Sequence, residues 1–280
     1  MSGLVDTRPH AAGAEQAGSR LLRRLARNPW TLRIVSLATL LIVWQLVGES
    51  NPYSISDPAA IYRAFVETWQ TEVLPAFGET LSAFVLGYLI CVVVGIPLGL
   101  VMARSRLVEL ALGPYISALY ATPRLALIPV MIIWFGVTFE LRLAVVIISG
   151  VFPIVVNTWL GAKEVDRNLL DTGVAFAGNQ LQLLRTIVIP DSLHYIFAGL
   201  RIGLGRALVG TIVAEIVTSV VGVGHLLEES ANTLLIAEMW VAIILLGFFA
   251  LACSSVLKWG ERWATMPWTR RRVSLWPSRP

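Results

Sequence analysis

Four ionisable residues, Arg124, Arg201, Arg206 and Glu215, interrupt stretches that are otherwise apolar. An ionised group inside a hydrocarbon layer is costly, so it faces a bundle interior or a water-filled path and marks a candidate functional position. Guanidinium groups at mid-depth would neutralise an oxyanion through charge-assisted hydrogen bonds. Counted from Pro190 at about 1.5 Å per helical residue, Arg201 lies roughly 16 Å and Arg206 roughly 24 Å along, deep enough to approach a membrane centre. The competing reading is structural: Arg206 pairs with Glu215 of a second copy or snorkels, and Arg201 contacts helix-end carbonyls.

Other chemistry is thinly represented. Cys91 and Cys253 each lie within an apolar run, with neither metal-ligand spacing nor a disulfide framework. They read as small core residues, and no metal site or catalytic set is expected. No His/Asp/Glu or Ser/His constellation falls at one depth, which argues against an intramembrane enzyme. A phosphate cradle of the form G-x-x-x-x-G-K-S/T does not occur. Glu228 and Glu229 are adjacent, so a helix splays them, and they suit a docking surface better than acid/base work. Gly95-x-x-x-Gly99 and Gly199-x-x-x-Gly203 read as close helix contacts.

Membrane helices must hold these residues. Hydrophobic residues make up 56% of the chain and charged ones 14%, with a mean hydropathy of +0.72, which places it in the all-α polytopic membrane class. A crossing needs about 20 mostly apolar residues. Six spans meet that template, at about 31–48, 78–102, 112–136, 140–160, 191–217 and 238–259. Trp30, Trp69, Trp134, Trp159, Trp240 and Trp259 fall near the proposed ends, where an indole buries its ring and keeps its N–H wet.

Basic residues resist translocation, so their placement orients the spans. Six lie on or beside the N-terminal arm, two between the second and third spans (Arg104, Arg106), three in the segment 161–190 and six near or in the C-terminal tail. That one-sidedness predicts that both termini and the segment 161–190 are cytoplasmic. Residues 1–28 lack an apolar period and are expected to be disordered. The first span is expected to be retained, because no small-x-small cleavage site follows Val47. The net charge of +4 carries no basic stripe interleaved with aromatics, so nucleic acid is not an expected partner.

The segment 161–190, GAKEVDRNLLDTGVAFAGNQLQLLRTIVIP, carries Lys163, Glu164, Asp166, Arg167, Asp171 and Arg185 and must sit in water. Leu169, Leu170, Val174, Phe176, Leu181, Leu184 and Ile187 recur at three-to-four-residue spacing, with breaks expected at Gly173 and at Gly178–Asn179. Two short amphipathic helices joined by a turn follow, and Pro190 is expected to begin the next spanning helix. Such a surface helix fits a groove on a soluble protein.

This segment resembles the cytoplasmic loop of ABC importer permeases whose pattern is Glu-Ala-Ala, three residues, Gly, nine residues, Ile-x-Leu-Pro. With Pro190 as the final Pro, Asp171-Thr172-Gly173 stand at Glu-Ala-Ala and Ala177 at the Gly, with a glycine displaced to Gly178. Glu79-Thr80-Leu81-Ser82, Gly95-Ile96-Pro97-Leu98-Gly99, Thr122-Pro123-Arg124, Trp134-Phe135-Gly136, Phe152-Pro153, Gly199-Leu200-Arg201, Val213-Ala214-Glu215 and Gly222-Val223-Gly224 are similar to the nitrate, sulfonate, taurine and bicarbonate group.

The resemblance implies a type I importer transmembrane domain in a bacterial inner membrane. It would pair with a second permease copy, like or unlike, and receive a small anion from an extracytoplasmic solute-binding protein. Two cytoplasmic ABC ATPase subunits, which bind the ATP and Mg, would drive it, and the chain itself would need no cofactor. Glu164, Asp171, Thr172, Gly173, Ala177, Gly178 and Pro190 are the implied coupling residues, and Arg124, Arg201, Arg206 and Glu215 the candidate path. The expected organisation is an arm at 1–28, a first helix with an outer amphipathic segment at 29–75, a permease core at 76–262 and a basic tail at 263–280. The alternative is a secondary transporter of a small anion, for which inverted repeats and midplane ion-coupling carboxylates are missing.

Overall fold

The computed structural model of the chain describes residues 29–51, 54–218 and 220–274, so the arm at 1–28 lies outside the described residues. The chain divides into two units, 1–63 and 64–280. In the first, α1 (Pro29–Ser50) is apolar on every side, as a lipid-facing helix must be. Its last turn is fastened to the following bend, where Gln45 donates to Glu49 at 2.8 Å and to Asp57 at 3.1 Å. Asp57 also accepts the Ala60 N–H at 2.9 Å at the start of α2 (Pro58–Thr68), a bond that holds its carboxyl below the ordinary carboxylate range.

The second unit continues through a π-turn, Trp69–Val73, into α3 (Leu74–Arg104), α4 (Arg106–Ala121), a 3₁₀ turn (Arg124–Leu127) and α5 (Ile128–Phe135). Then come α6 (Phe139–Lys163), α7 (Arg167–Ala175), α8 (Gln180–Leu183), a second π-turn (Leu184–Val188), α9 (Ile189–Thr218), α10 (Val223–Asn232) and α11 (Ile236–Ser274). All regular structure among the described residues is helical. Five helices there are long and apolar enough to cross a membrane, and one bent pair makes six.

The third expected span, which the sequence breaks at Pro123 and again at Pro129, is a bent pair that turns at the first of these. The α4 segment and the segment from Arg124 to Phe135 meet at 91°. Pro123 forces the turn: its ring disfavours helical backbone in the preceding residue, and Thr122 is accordingly extended at ψ 140°. Pro129 breaks nothing, because it occupies the first turn of α5, where no N–H is needed.

Pro190 stands in the first turn of α9, as expected, but the helical backbone does not start there. Helical backbone runs from Gln180 to Thr218 through the second π-turn, in which the Ile189 N–H bonds the Leu184 carbonyl. The same device precedes Pro75, where the Leu74 N–H reaches the Trp69 carbonyl. A widened turn lets a running helix admit a residue that cannot donate and whose ring presses on the carbonyl four residues earlier.

The central helix is α6, gripped by α3 and α9. A Cβ at Gly87, Gly95 or Gly99 of α3 would stand 2.6, 2.8 and 2.7 Å from Val146, Ile154 and Thr158 of α6. On α9, one at Gly199 or Gly203 would stand 2.8 Å from Asn157 or Ile154. These helices meet backbone to backbone, as small residues permit. Cys91 packs with Ile154, Ile196 and Leu200, while Cys253 of α11 packs against Phe84, Val146 and Leu204; both thiols are free.

Candidate functional site

The polar segment is built from strong local signals. Asp166 caps α7 by accepting the Asn168 N–H at 2.9 Å, and Asn179 and Gln182 form a reciprocal capping box at the start of α8. Between them the chain reverses in a Schellman turn, in which the Gly178 N–H bonds the Gly173 carbonyl at 3.0 Å and the Ala177 N–H bonds Val174 at 2.8 Å. Ala177 takes the left-handed conformation at φ +56°. The position that the resemblance reserves for glycine is therefore the one whose backbone favours glycine.

Gly173 is not a break. It lies inside α7, where a Cβ would approach Leu183 to 2.4 Å and Ile187 to 2.9 Å, so its role is to let the two arms of the hairpin close. Val165 and Val188 anchor the segment on Leu100 and Ala162, with Leu170 and Leu184 beside them. Arg104 of α3 donates to Gln180 at 2.7 Å, and Lys163 and Arg106 both pair with Glu109. Glu164, Asp171, Thr172 and Ala177 are exposed, Gly178 and Pro190 half-buried. Phe176, beside them, is 84% exposed, an unusual state for the largest apolar side chain of the segment.

The four membrane charges separate into three environments. Arg124 and Arg206 line one cavity of about 380 Å³ with Tyr120, Thr122, Ser149 and Val209. Within it, Arg124 lies 5.6 Å from the Tyr120 ring centroid and reaches the Ser149 carbonyl at 3.5 Å. The Ser149 hydroxyl is buried, with no hydrogen-bond partner among the described residues. Arg201 is elsewhere: it donates to Glu261 of α11 at 2.6 Å, and His194 stands 3.8 Å from the same carboxylate. It thus pairs with a side chain rather than with helix-end carbonyls.

Glu215 belongs to a third place, at the end of the bundle opposite the segment 161–190. Its side chain is fully buried and accepts from the Thr80 hydroxyl at 2.9 Å and the Gly224 N–H at 3.0 Å, while Thr80 accepts the Val223 N–H at 2.8 Å. Arg142 stands 3.8 Å from Glu215 and 3.1 Å from Glu79. Gly222, at φ +97°, wraps the carboxylate so closely that a Cβ there would fall 2.3 Å from its carbon. Glu215 pairs with Arg142 of its own chain and does not line the cavity of Arg124 and Arg206. Nothing in the sequence alone singles out Arg142, and this node is not foreseen there. The available signal was that three motif fragments, around Thr80, Glu215 and Gly222, all carry polar or small residues that a span does not otherwise need.

The profile of the family described as "Binding-protein-dependent transport system inner membrane component" matches residues 95–264. The chain is 27% identical over 230 residues to the nitrate import permease protein NrtB of Synechocystis sp., covering 78% of this chain and 82% of that one. It is 26% identical to the putative aliphatic sulfonates transport permease protein SsuC of Bacillus subtilis, covering 84% of this chain and 87% of the relative. With the formylaminopyrimidine transport permease protein ThiX of Halalkalibacterium halodurans it shares 25% identity over 83% of this chain and 94% of the other.

Proposed function

The chain belongs to the binding-protein-dependent transport system inner membrane component family of ABC importer permeases, and from that membership we propose that it passes a small oxyanion through a bacterial inner membrane. The relatives do not agree on a cargo, since nitrate, sulfonates and a formylaminopyrimidine appear among their names. The observation that carries the anionic reading is the cavity that Arg124 and Arg206 share. Two guanidinium groups on one cavity offer ten N–H donors and no acceptor, which favours a desolvated oxyanion over a neutral heterocycle or a cation.

The segment 161–190 serves in this reading as the coupling element for two ATPase subunits, with the termini on its cytoplasmic side. Its exposed Asp171, Thr172 and Phe176 form the face that a soluble partner would grip, and the Schellman turn at Ala177 and Gly178 fixes the angle between its arms. Closure of the ATPase pair would draw the coupling segments of two permease copies together and switch the path from inward to outward access, a rigid-body change between two packings.

Reconstitution in proteoliposomes with the ATPase and the binding protein tests this. ATP-dependent uptake of nitrate, taurine or bicarbonate is expected, with loss of stimulated ATP turnover on disrupting Asp171 or the pair Ala177 and Gly178. Uptake driven by an ion gradient without ATP would favour a secondary transporter. Turnover unchanged by those variants would remove the coupling role.

A further inference from the structure

At the end of the bundle opposite the segment 161–190 lies a cavity of about 750 Å³ formed by the turn before α3, by α10 and by the start of α11. Four carboxylates line it: Glu72, Glu79, Glu229 and Glu238. Among the described residues, His225 stands against them, 3.5 Å from Glu229, and Arg142 reaches Glu79 at 3.1 Å. Ser230 also lines the cavity. It is 1% exposed, yet its hydroxyl has no hydrogen-bond partner among the described residues. A buried, unpartnered hydroxyl beside four carboxylates suits a cationic hydrogen-bond donor.

We propose that this acidic cavity seats a basic side chain of the extracytoplasmic binding protein, and that the seated cation competes with Arg142 for Glu79. The inference rests on the permease reading above, which puts the binding protein at this end of the molecule. Charge decides the kind of partner. A low-dielectric cleft lined by one sign of charge focuses its field and draws the opposite sign, and a planar guanidinium matches carboxylates in pairs. Walls of Pro75, Leu226 and Leu235 suit the apolar stem of such a side chain.

Glu79 makes the seat more than a foothold. It is at once a wall of the cavity and the 3.1 Å partner of Arg142, whose other nitrogen stands 3.8 Å from a Glu215 oxygen that has no hydrogen bond among the described residues. A cation arriving at Glu79 frees Arg142 to close on Glu215. Docking is thereby felt where α3, α6, α9 and the Gly222–Gly224 loop meet.

The test uses the complete complex in nanodiscs and titrates the binding protein against ATP turnover, read as the ratio of stimulated to basal rate in each preparation. Glu229→Gln and Glu238→Gln are each expected to raise the half-saturating binding-protein concentration about threefold to tenfold and to flatten its salt dependence. Glu228→Gln changes the neighbouring charge outside the cavity and is expected to leave the titration curve in place. Glu79→Gln removes both the seat and the tether of Arg142, so it is expected to weaken docking and raise turnover without binding protein. Identical curves for wild type and the Glu229 and Glu238 variants would overturn the seat. A Glu79→Gln complex with wild-type unstimulated turnover would overturn the competition. A shift equal to that of Glu228→Gln would show general surface charge and sink the cavity's part. A wild-type complex that no binding protein stimulates would instead fail the permease reading.

Discussion

Thr80 and Glu215, 135 positions apart, share a buried hydrogen bond of 2.9 Å that ties the start of α3 to the end of α9. The same hydroxyl oxygen accepts the Val223 N–H at the start of α10, so one threonine joins three helices. Arg142, only 7% exposed at its side chain, supplies the charge that such a carboxylate requires. Glu215→Ala leaves the Thr80 hydroxyl and the Gly224 N–H without their buried acceptor and takes from Arg142 one of its two carboxylates, and the expected loss is about 3–5 kcal/mol of stability. Glu215→Gln keeps an acceptor for Thr80 and Gly224, so its loss is expected to be nearer 1–3 kcal/mol. Thermal unfolding in detergent measures both, and an Ala variant as stable as wild type would contradict the node.

The hairpin turn gives a prediction of opposite sign. Ala177 stands at φ +56°, a conformation that costs a residue with a Cβ roughly 1–2 kcal/mol. Ala177→Gly relieves that strain but enlarges the entropy of the unfolded chain, so a net gain of about 0.5–1 kcal/mol is expected. Ala177→Val, β-branched at positive φ, is expected to lose more than Gly gains. Unfolding midpoints that rank Val below Ala below Gly bear this out, and the reverse order refutes it.

These two sites differ in how far the sequence discloses them. The spans were legible because bilayer thickness imposes a length and a composition on each one, and the water-exposed hairpin because Asp166, Asn179 and Gln182 are local capping signals. Gly173 was misread as a break, since glycine in a helix is ambiguous until the neighbour that demands it, Leu183, is placed. The node was invisible for a different reason. Thr80, Arg142, Glu215 and Gly222 belong to three helices and a loop, and no periodicity links residues that meet only through tertiary packing. The acidic cavity was half legible: Glu228 and Glu229 stood out together, but only the fold shows that Glu229 alone lines it.

Phe176 separates folding from coupling. It is 84% exposed, so little among the described residues packs on it. Phe176→Ser is expected to leave the unfolding midpoint almost unmoved, within about 0.5 kcal/mol, and to abolish most of the ATP turnover stimulated by binding protein. A variant that keeps stimulated turnover would remove Phe176 from the gripping face.

The cavity of Arg124 and Arg206 bears on the cargo, and a two-residue cycle tests it. Among the described residues Arg124 has the Tyr120 ring and one 3.5 Å carbonyl contact, too few to satisfy its guanidinium, and Arg206 shares its cavity. An oxyanion bridging both would make their contributions interdependent. Arg124→Gln and Arg206→Gln are each expected to cut ATP-driven uptake about tenfold or more, in line with about 1.5–3 kcal/mol for a hydrogen bond to a charged group. The double variant should lose less than the two single losses multiplied, because either change alone already breaks the bridge. Lysine at either position is expected to restore part of the rate by charge without the planar fork. Uptake that is indifferent to both glutamines would show that the cargo passes elsewhere, and full multiplication of the losses would show two independent contacts instead of one shared anion.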